Sequence, residues 1–243
     1  MLSDALYLMT VPKKYPSTPE LQPAAQPAQI SMRSELQRKM IHLSSIGIPI
    51  LYALLSRSTM LWLLIPVTVI AFIVEVLRVR VTAVDNFIQK FFGSMLRPHE
   101  KSGGLARVSG ATWVFLSASL CVLIFPKIVT ITGFTVLIVS DTVAALFGRR
   151  FGRHRFLEKS VEGSSAFVVS AIGVVLVVAA IVGAPWQFIL AGSIAAAVSA
   201  VAEAMSYGVN IDDNLTIPLS FGLVAWGLLA LMGGPEVEAL LMR

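Results

Sequence analysis

The sequence predicts an all-α, polytopic integral membrane protein of about seven transmembrane helices. The first observation is composition, since 56% of the 243 residues are hydrophobic and only 14% are charged. Soluble domains carry about 25% charged residues. The second is a series of apolar runs long enough to cross a bilayer. The third is that the basic residues flank these runs, which makes the net charge of +5 a sign of membrane orientation rather than of nucleic-acid binding.

Residues 1–30 are rich in proline, glutamine and alanine and show no sustained periodicity. This composition predicts a disordered, cytosolic N-terminal tail, and no signal-peptide core is visible in it. Residues 31–243 are then expected to form a single transmembrane domain. Ser31–His42 has helical spacing, with Glu35, Arg38, Lys39 and His42 on one face, and leads into a first span at about 43–56.

The second span is expected at about 59–77, and residues 78–107 form a basic connector. Within it, the apolar side chains of VDNFIQKFFGSML recur at helical spacing, which predicts an amphipathic helix on the membrane surface. The connector continues with LRPHEKSGGLARVSGATW, which contains His99 and Glu100. Five further spans are expected at about 108–125, 128–148, 163–182, 186–205 and 215–231.

The distribution of lysine and arginine predicts the orientation. If the amino terminus is cytosolic, sixteen of the basic residues fall on the cytosolic side and only Arg57, Lys127 and Arg243 fall outside. With this topology Glu75, Asp141 and Glu203 lie near the inner ends of spans two, four and six. The triplet Asp212, Asp213 and Asn214 precedes span seven on the same side. Every candidate for chemistry is therefore expected at one membrane face.

The stretch DTVAALFGRRFGRHRFLEKSVEG, residues 141–163, has the strongest functional signal. Asp141 lies inside an apolar run, where a carboxylate normally faces a protein interior or an aqueous cavity. In a helix it shares a face with Ala144, Ala145 and Gly148. Gly148 and Gly152 are expected to release the chain into a basic loop. A carboxylate, glycines and clustered cations together predict a metal and polyphosphate site at a membrane surface.

Structural roles are the alternatives for several of these residues. The basic loop alone is typical of a topology anchor, and Glu75 has Arg78 three residues away as a partner. Asp212, Asp213 and Asn214 are compatible with a loop that caps span seven, with Asn214 as the N-cap. Glu203 has no basic residue within four positions, so it needs a partner elsewhere or a metal. His42, His99 and His154 are too scattered for a zinc site.

Several blocks together resemble the CTP-dependent lipid-alcohol kinases, the family of dolichol kinase, phytol kinase and the yeast-type diacylglycerol kinase. The blocks are RKMIHLSS, LRPHEKSGGLARVSGATW, DTVAALFGRRFGRHRFLEKSVEGSSAF and DDNLTIPL, in the family's order over about residues 33–231. Family members often carry a lysine pair where this chain has Glu158 and Lys159. The resemblance implies transfer of the CTP γ-phosphate to a membrane alcohol with a divalent metal. No P-loop is present.

Residue chemistry and the resemblance together define the candidate site. Phosphoryl transfer requires positioning and neutralisation of phosphate charge by metal, arginine or lysine. The expected catalytic residues are Asp141, Lys159, Glu203 and Asp213, and the expected Mg²⁺ ligands are Asp141, Asp212 and Asp213. The expected nucleotide contacts are Gly148, Arg149, Arg150, Gly152, Arg155, Lys159, Ser160, Glu162 and Gly163. Further candidates are Arg38, Lys39, His42, Glu75, His99, Glu100 and Asn214.

The expected activity is CTP-dependent phosphorylation of a polyprenol- or dolichol-type alcohol at the cytosolic face. Phytol, other prenols and diacylglycerol stay open as acceptors. Two other functions are the alternatives, namely a CTP:phosphatidate cytidylyltransferase and a transporter of anionic solutes. The expected partners are CTP, the lipid alcohol and membrane lipids, and no nucleic acid. The expected location is the inner membrane of a bacterium or an ER-type membrane of a eukaryote.

Overall fold

Helices dominate the computed structural model, which describes residues 32–93, 108–206 and 211–242. The first six helices of this part are α1 (Met32–Ser44), α2 (Gly47–Leu54), α3 (Arg57–Arg80), α4 (Thr82–Phe92), α5 (Gly110–Ile124) and α6 (Lys127–Phe151). A short antiparallel hairpin follows, with strands β1 (Arg155–Phe156) and β2 (Lys159–Ser160). The remaining helices are α7 (Val161–Val182), α8 (Trp186–Met205), α9 (Asp213–Met232) and α10 (Pro235–Leu241).

The predicted all-α polytopic membrane fold is confirmed. Five helices, α3, α6, α7, α8 and α9, are long and apolar enough to cross a membrane, and α5 is a shorter apolar helix. The segment expected as the first span is divided between the end of α1 and the eight-residue α2, with a turn at Ser45 and Ile46. The count of seven spans and the cytosolic amino terminus stay predictions.

Helix α6 is the central element of the bundle. Of the 18 residues in its most apolar stretch, 67% are buried inside the protein, whereas the figure for the corresponding stretch of α3 is 17%. It packs against α1, α2, α7 and α9, and its Phe134, Leu137 and Ile138 are in the core. α3 packs mainly on α4 and α5 and exposes many large apolar side chains, among them Trp62 and Ile70. A helix that is apolar on its exposed face is stable only in lipid or against another protein surface.

The region after Asp141 differs from the prediction. Gly148 does not end the helix, which continues to Phe151 with Gly152 as its C-cap. Glycine is tolerated inside membrane helices, and here the small residue is needed for helix packing rather than for helix termination. The expected loop is largely the β1–β2 hairpin. Leu157 in its turn has a φ of 51°, and the N–H of Glu158 donates to the carbonyl of Ala204 on α8 (3.4 Å).

Helix α4 has the amphipathic character that the sequence predicts for this part of the connector. Phe87, Phe91 and Phe92 are exposed on it, and Asp85 points to Arg78 of α3, with 3.6 Å between the carboxylate and Nε. Its position on a membrane surface stays a prediction. The N-terminal tail and residues 94–107, which include His99 and Glu100, lie outside the described residues.

Arg57 joins α3 to α5 at the end of the bundle opposite the connector. Its guanidinium donates to the carbonyls of Val122 (2.7 Å), Leu123 (2.7 Å) and Phe125 (3.2 Å), which are among the last acceptors of α5. These carbonyls have no partner within their own helix, so an arginine there satisfies them and interacts favourably with the helix dipole. The side chain of Ser56 caps the start of α3 by accepting the N–H of Thr59 (3.1 Å).

Gly222 and Gly227 of α9 provide a matched test of how closely α9 packs on Phe125, which follows α5. A Cβ at Gly222 would lie 2.3 Å from Cε2 of Phe125, whereas a Cβ at Gly227 would meet nothing within 4 Å. We expect Gly222→Ala to lower the free energy of unfolding by about 1–3 kcal/mol because the core must shift. Gly227→Ala should leave it unchanged or raise it. Unfolding in mixed micelles measures both, and equal effects would contradict the packing of α9 on Phe125.

Candidate active site

Asp141 is buried inside α6 and is paired with a lysine from α1. Only 3% of the residue is exposed, and its Oδ2 accepts a hydrogen bond from Nζ of Lys39 at 2.5 Å. The same ammonium donates to the backbone carbonyl of Asp141 (3.3 Å). Lys39 is itself 2% exposed. Because an isolated buried charge is very costly, each of these two groups requires the other or an equivalent counter-ion.

His42 lies on the same face of α1, one turn after Lys39. Its Nε2 is 3.6 Å from Oδ2 of Asp141 and makes no hydrogen bond within the described part of the chain. Burial lowers the pKa of the His42 imidazole, although the carboxylates of Asp141 and Asp213 act in the opposite direction. A neutral imidazole beside a carboxylate is the result. The predicted helical face of Lys39 and His42 is therefore aimed at Asp141.

Lys159 of β2, which is half-buried, is the second cation of the site. Its Nζ donates to Oε1 of Glu203, which lies on α8 and is 2% exposed. Burial disfavours the charged form, but the surrounding carboxylates outweigh that effect and raise the pKa of Lys159, so the ammonium is charged at neutral pH. In decreasing order of influence these carboxylates are Glu203, Asp213 and Asp141. Glu203 thus has the distant partner that its sequence context requires.

The start of α9 brings Asp213 to the same place. Asp213 and Asn214 are buried, and Asp213 acts electrostatically on both His42 and Lys159. The N-cap of α9 is Asp212 and not Asn214, because the Oδ1 of Asp212 accepts the N–H (3.0 Å) and the side-chain amide (2.6 Å) of Asn214. Asp212 therefore has a capping role, whereas Asp213 faces His42 and Lys159.

A cavity of about 510 Å³ begins one turn beyond Asp141. Small residues of α6, the hairpin and the start of α7 form one part of its wall, and charged residues form the other. The small residues are Ala144, Ala145, Gly148, Gly152, Ser160 and Gly163, and the charged residues are Arg149, Glu158, Lys159 and Glu203. Ala144, Ala145 and Gly148 therefore share the predicted face of α6.

The glycines of this wall are required by close packing of α6 on α7. A Cβ at Gly163 would lie 3.2 Å from the carbonyl oxygen of Ala144 and 3.2 Å from Cα of Gly148. Ser160 is the N-cap of α7 and accepts the N–H of Gly163 (3.1 Å). The N-terminus of α7 consequently borders the cavity, and a helix N-terminus with nearby cations favours an anion.

The cations of the hairpin region lie in different places. Arg149 lines the cavity. Arg150 lies over the ring of Phe151, with 5.5 Å from the guanidinium carbon to the ring centroid. Arg155 is exposed, and its guanidinium donates to the carbonyl of Leu157 (3.0 Å) and contacts Glu158 (3.5 Å). Of the predicted arginine contacts to a nucleotide, only Arg149 is at the cavity wall.

Glu162 organises the chain between α6 and the hairpin. Its carboxylate accepts the N–H of Arg153 (3.1 Å) and the N–H of His154 (3.3 Å), and it pairs with Nδ1 of His154 (2.7 Å). These bonds fix the turn through which β1 begins. The predicted nucleotide contact of Glu162 has no geometric support here, because the carboxylate is already occupied by the protein's own groups.

Glu75 has the structural role that its spacing to Arg78 indicates. Its carboxylate binds Nη1 of Arg78 (2.9 Å), and it also accepts the N–H of Ser109 (3.0 Å) and the hydroxyl of Thr112 (3.1 Å). It therefore joins α3 to the start of α5. The start of α5 is also close to the start of α9. A Cβ added at Gly110 would lie 3.3 Å from Nδ2 of Asn214.

Six of the candidate residues lie together at one end of the bundle. Lys39, His42, Asp141, Lys159, Glu203 and Asp213 form one cluster, which we call the charged cluster. Arg38 is half-buried on α1 beside it. Among the described residues no group of three histidine, cysteine, aspartate or glutamate side chains is close enough to hold a metal unaided. Sequence reasoning missed Glu158 as a cavity residue and the pairing of each lysine with one carboxylate.

The Lys159–Glu203 pair can be tested by a double-mutant cycle. Lys159→Met leaves the carboxylate of Glu203 buried and uncompensated, which should cost about 3 kcal/mol of the free energy of unfolding. Replacing both residues by methionine should cost less than the sum of the two single changes, with a coupling of at least about 1 kcal/mol. Unfolding in mixed micelles gives the three values. Additive effects would mean that the two side chains do not interact.

Comparisons with known proteins identify relatives of this chain. No protein-family model and no solved structure matches the chain. The uncharacterized protein RP860 of Rickettsia prowazekii is 34% identical over 190 residues, which are 78% of this chain and 92% of RP860. CTP-dependent diacylglycerol kinase 1 of Saccharomyces cerevisiae is 28% identical over 77% of this chain and 71% of its own length.

A third relative matches a shorter part. Phytol kinase of Synechocystis sp. is 33% identical over 103 residues, which are 39% of this chain and 42% of the relative. The two named kinases are distant homologues, which supports the lipid-kinase family in general. Since the identity to RP860 extends over nearly all of that protein, the chain belongs to the same family as RP860.

Proposed function

We propose that the protein is a CTP-dependent kinase that phosphorylates a lipid alcohol, of the polyprenol or dolichol type, at the cytosolic face of its membrane. The distant relatives named as CTP-dependent diacylglycerol kinase and phytol kinase support a lipid kinase in general. The observation that carries the proposal is the cavity itself. It is lined by Lys159, by Arg149 and by Gly163 in the first turn of α7, and it begins one turn beyond Asp141 at one end of a bundle of membrane helices.

The cavity walls suit a polyphosphate. The equatorial oxygens of a transferred phosphoryl group must be neutralised, and Lys159 and Arg149 supply positive charge at the cavity. The N-terminus of α7 lies on the same wall, where Gly163 lines the cavity, and a helix N-terminus favours an anion. Lys159 is held in place by Glu203, which makes it a preorganised cation rather than a flexible surface lysine.

The donor set of the charged cluster fits a divalent cation such as Mg²⁺. Mg²⁺ prefers oxygen ligands, keeps several waters and is usually held by one or two carboxylates together with substrate phosphates. Asp141 and Asp213 are two buried carboxylates that act on the same histidine and the same lysine. We propose these two residues as its protein ligands. The cation would supply charge neutralisation at the phosphates.

The acceptor hydroxyl must lose a proton during transfer, and several groups of the charged cluster can receive it. His42 has a free Nε2 within the described residues, and Asp141, Asp213 and Glu203 are carboxylates nearby. A lipid alcohol would reach them from the bilayer, because the cluster lies at the ends of membrane helices.

Incubation of the purified protein with CTP labelled at the γ-phosphate tests the proposal directly. The panel of acceptors contains a polyprenol, dolichol, phytol, geranylgeraniol and diacylglycerol. We expect label in a lipid phosphate with Mg²⁺ present, and kcat/KM for CTP to exceed that for ATP by about 10²-fold or more, because a site built around cytosine leaves polar groups unpaired with adenine. A parallel reaction with CTP labelled at the α-phosphate should leave the lipid unlabelled, and label in the lipid there would instead indicate a cytidylyltransferase.

Asp141→Asn is the matched control for this assay. The amide keeps the size of the side chain and can still accept a hydrogen bond from Lys39, but it lacks the charge that a divalent cation requires. We expect turnover to fall below detection and the free energy of unfolding to fall by about 3 kcal/mol, because the buried ammonium of Lys39 loses its counter-ion. Lys39→Met/Asp141→Asn leaves no unpaired charge and should be equally inactive. Activity equal to that of the wild type would exclude Asp141 as a metal ligand. A protein that labels no acceptor of the panel would contradict the kinase assignment.

Glu158 offers a second test, of how the cavity binds nucleotide. It lines the cavity with a negative charge where resembling sequences often have a lysine. Glu158→Lys should lower KM for CTP with a smaller effect on kcat, since added positive charge attracts the phosphates in the ground and transition states alike. Glu236→Lys on α10 makes the same change of charge at an exposed site. If both variants lower KM equally, the effect is not local to the cavity.

A further inference from the structure

Lys39 and Lys159 are both counter-ions of buried carboxylates, but they are attached to the protein in different ways. Lys159 is part of β2, and the hairpin is bonded to α8 through Glu158 and to α7 through the N-cap Ser160. Lys39 is on α1, whose described contacts are mainly with α6. The outward side of α1 is apolar and exposed, with Met40 60% and Ile41 51% accessible.

A tighter turn joins helix α1 to α2. The helical bonds of α1 end at Ser44, and the N–H groups of Ser45 and Ile46 then donate to the carbonyls of His42 (3.0 Å) and Leu43 (3.1 Å) before α2 begins at Gly47. A tight turn of this kind between two helices often marks a hinge. Polar contacts from α1 to α6 include the ammonium of Lys39 on Asp141 and the imidazole of His42, whose Nε2 lies 3.6 Å from the same carboxylate.

The position of this ammonium matters because Asp141 is the carboxylate that the proposed function gives to a divalent cation. Asp141 is almost completely buried, so it needs positive charge beside it at all times. Two cations cannot both sit at full contact with one buried carboxylate oxygen without strong repulsion. The ion pair at 2.5 Å therefore competes with any metal for Oδ2 of Asp141.

We propose that Lys39 is a positioning residue that acts as an exchangeable counter-ion of Asp141. In the free protein it holds the carboxylate oriented and neutralised, and it gives up this contact when a divalent cation binds. The released ammonium stays beside the cavity, where it is available to phosphate oxygens, and α1 loses one of its polar contacts with α6. This inference rests on the proposed function for the identity of the site, but its test does not require activity.

Binding of Mn²⁺ to the purified protein without nucleotide tests the competition. Lys39→Met should lower the Kd for Mn²⁺ by about tenfold or more, because a positive charge within ion-pair distance of the carboxylate is removed. Lys39→Met/Asp141→Asn should lose this gain. Lys127→Met is the matched control, because Lys127 is the first residue of α6 and is far along that helix from Asp141. Its Nζ lies 5.7 Å from the centroid of the Tyr52 ring. A Lys39→Met protein that binds Mn²⁺ no more tightly than the wild type overturns the proposal.

A second measurement uses the wild type alone and is independent of how well Lys39→Met folds. Hydrogen exchange of the backbone amides of residues 36–44 should become faster when Mn²⁺ is added, while that of α8 stays the same. Unchanged or slower exchange in α1 overturns the proposal. A protein that phosphorylates a lipid alcohol but shows no such change refutes the exchange of counter-ions and leaves the kinase intact. A protein with these cation effects but without kinase activity refutes only the function.

Discussion

The requirement that every buried carboxylate has a counter-charge determines how this end of the bundle is built. Asp141, Glu203 and Asp213 come from three membrane helices and would repel one another if they were left alone. Two lysines compensate them, and both come from elements outside the long helices, α1 and the hairpin. The positions of these peripheral elements therefore depend on electrostatics as much as on apolar packing.

Close helix packing is the second constraint, and it connects the electrostatics to the cavity. Gly148 and Gly163 let α6 and α7 approach until backbone atoms touch, which brings the start of α7 to the wall that Lys159 also lines. A larger residue at either position would move the helix end away from the cations. The same two glycines thus allow α6 and α7 to associate closely and also shape the wall of the cavity.

Much of this arrangement was predictable from the sequence, for identifiable reasons. Apolar runs and flanking charges locate the long helices to within a few residues, and charge inside an apolar run marks Asp141 and Glu203. The partners were not predictable, because Lys39 and Asp141 are 102 residues apart and no local pattern encodes that contact. The hairpin was missed because two-residue strands leave no alternation to detect. The N-cap of α9 is Asp212 and not the predicted Asn214. The two differ because residue preferences alone do not determine the residue at which a helix begins.

The unequal burial of the helices has a consequence for how the family can diverge. α3 turns most of its surface outward, so one apolar side chain can replace another there without disturbing a neighbour in the protein. α6 is enclosed by other helices, and a change at almost any of its positions must be matched by a change elsewhere. Over evolutionary time α3 should therefore drift freely among apolar residues, and α6 should change slowly and in correlated pairs. Relatives would then be recognised by α6 and the hairpin long after α3 has lost any detectable likeness.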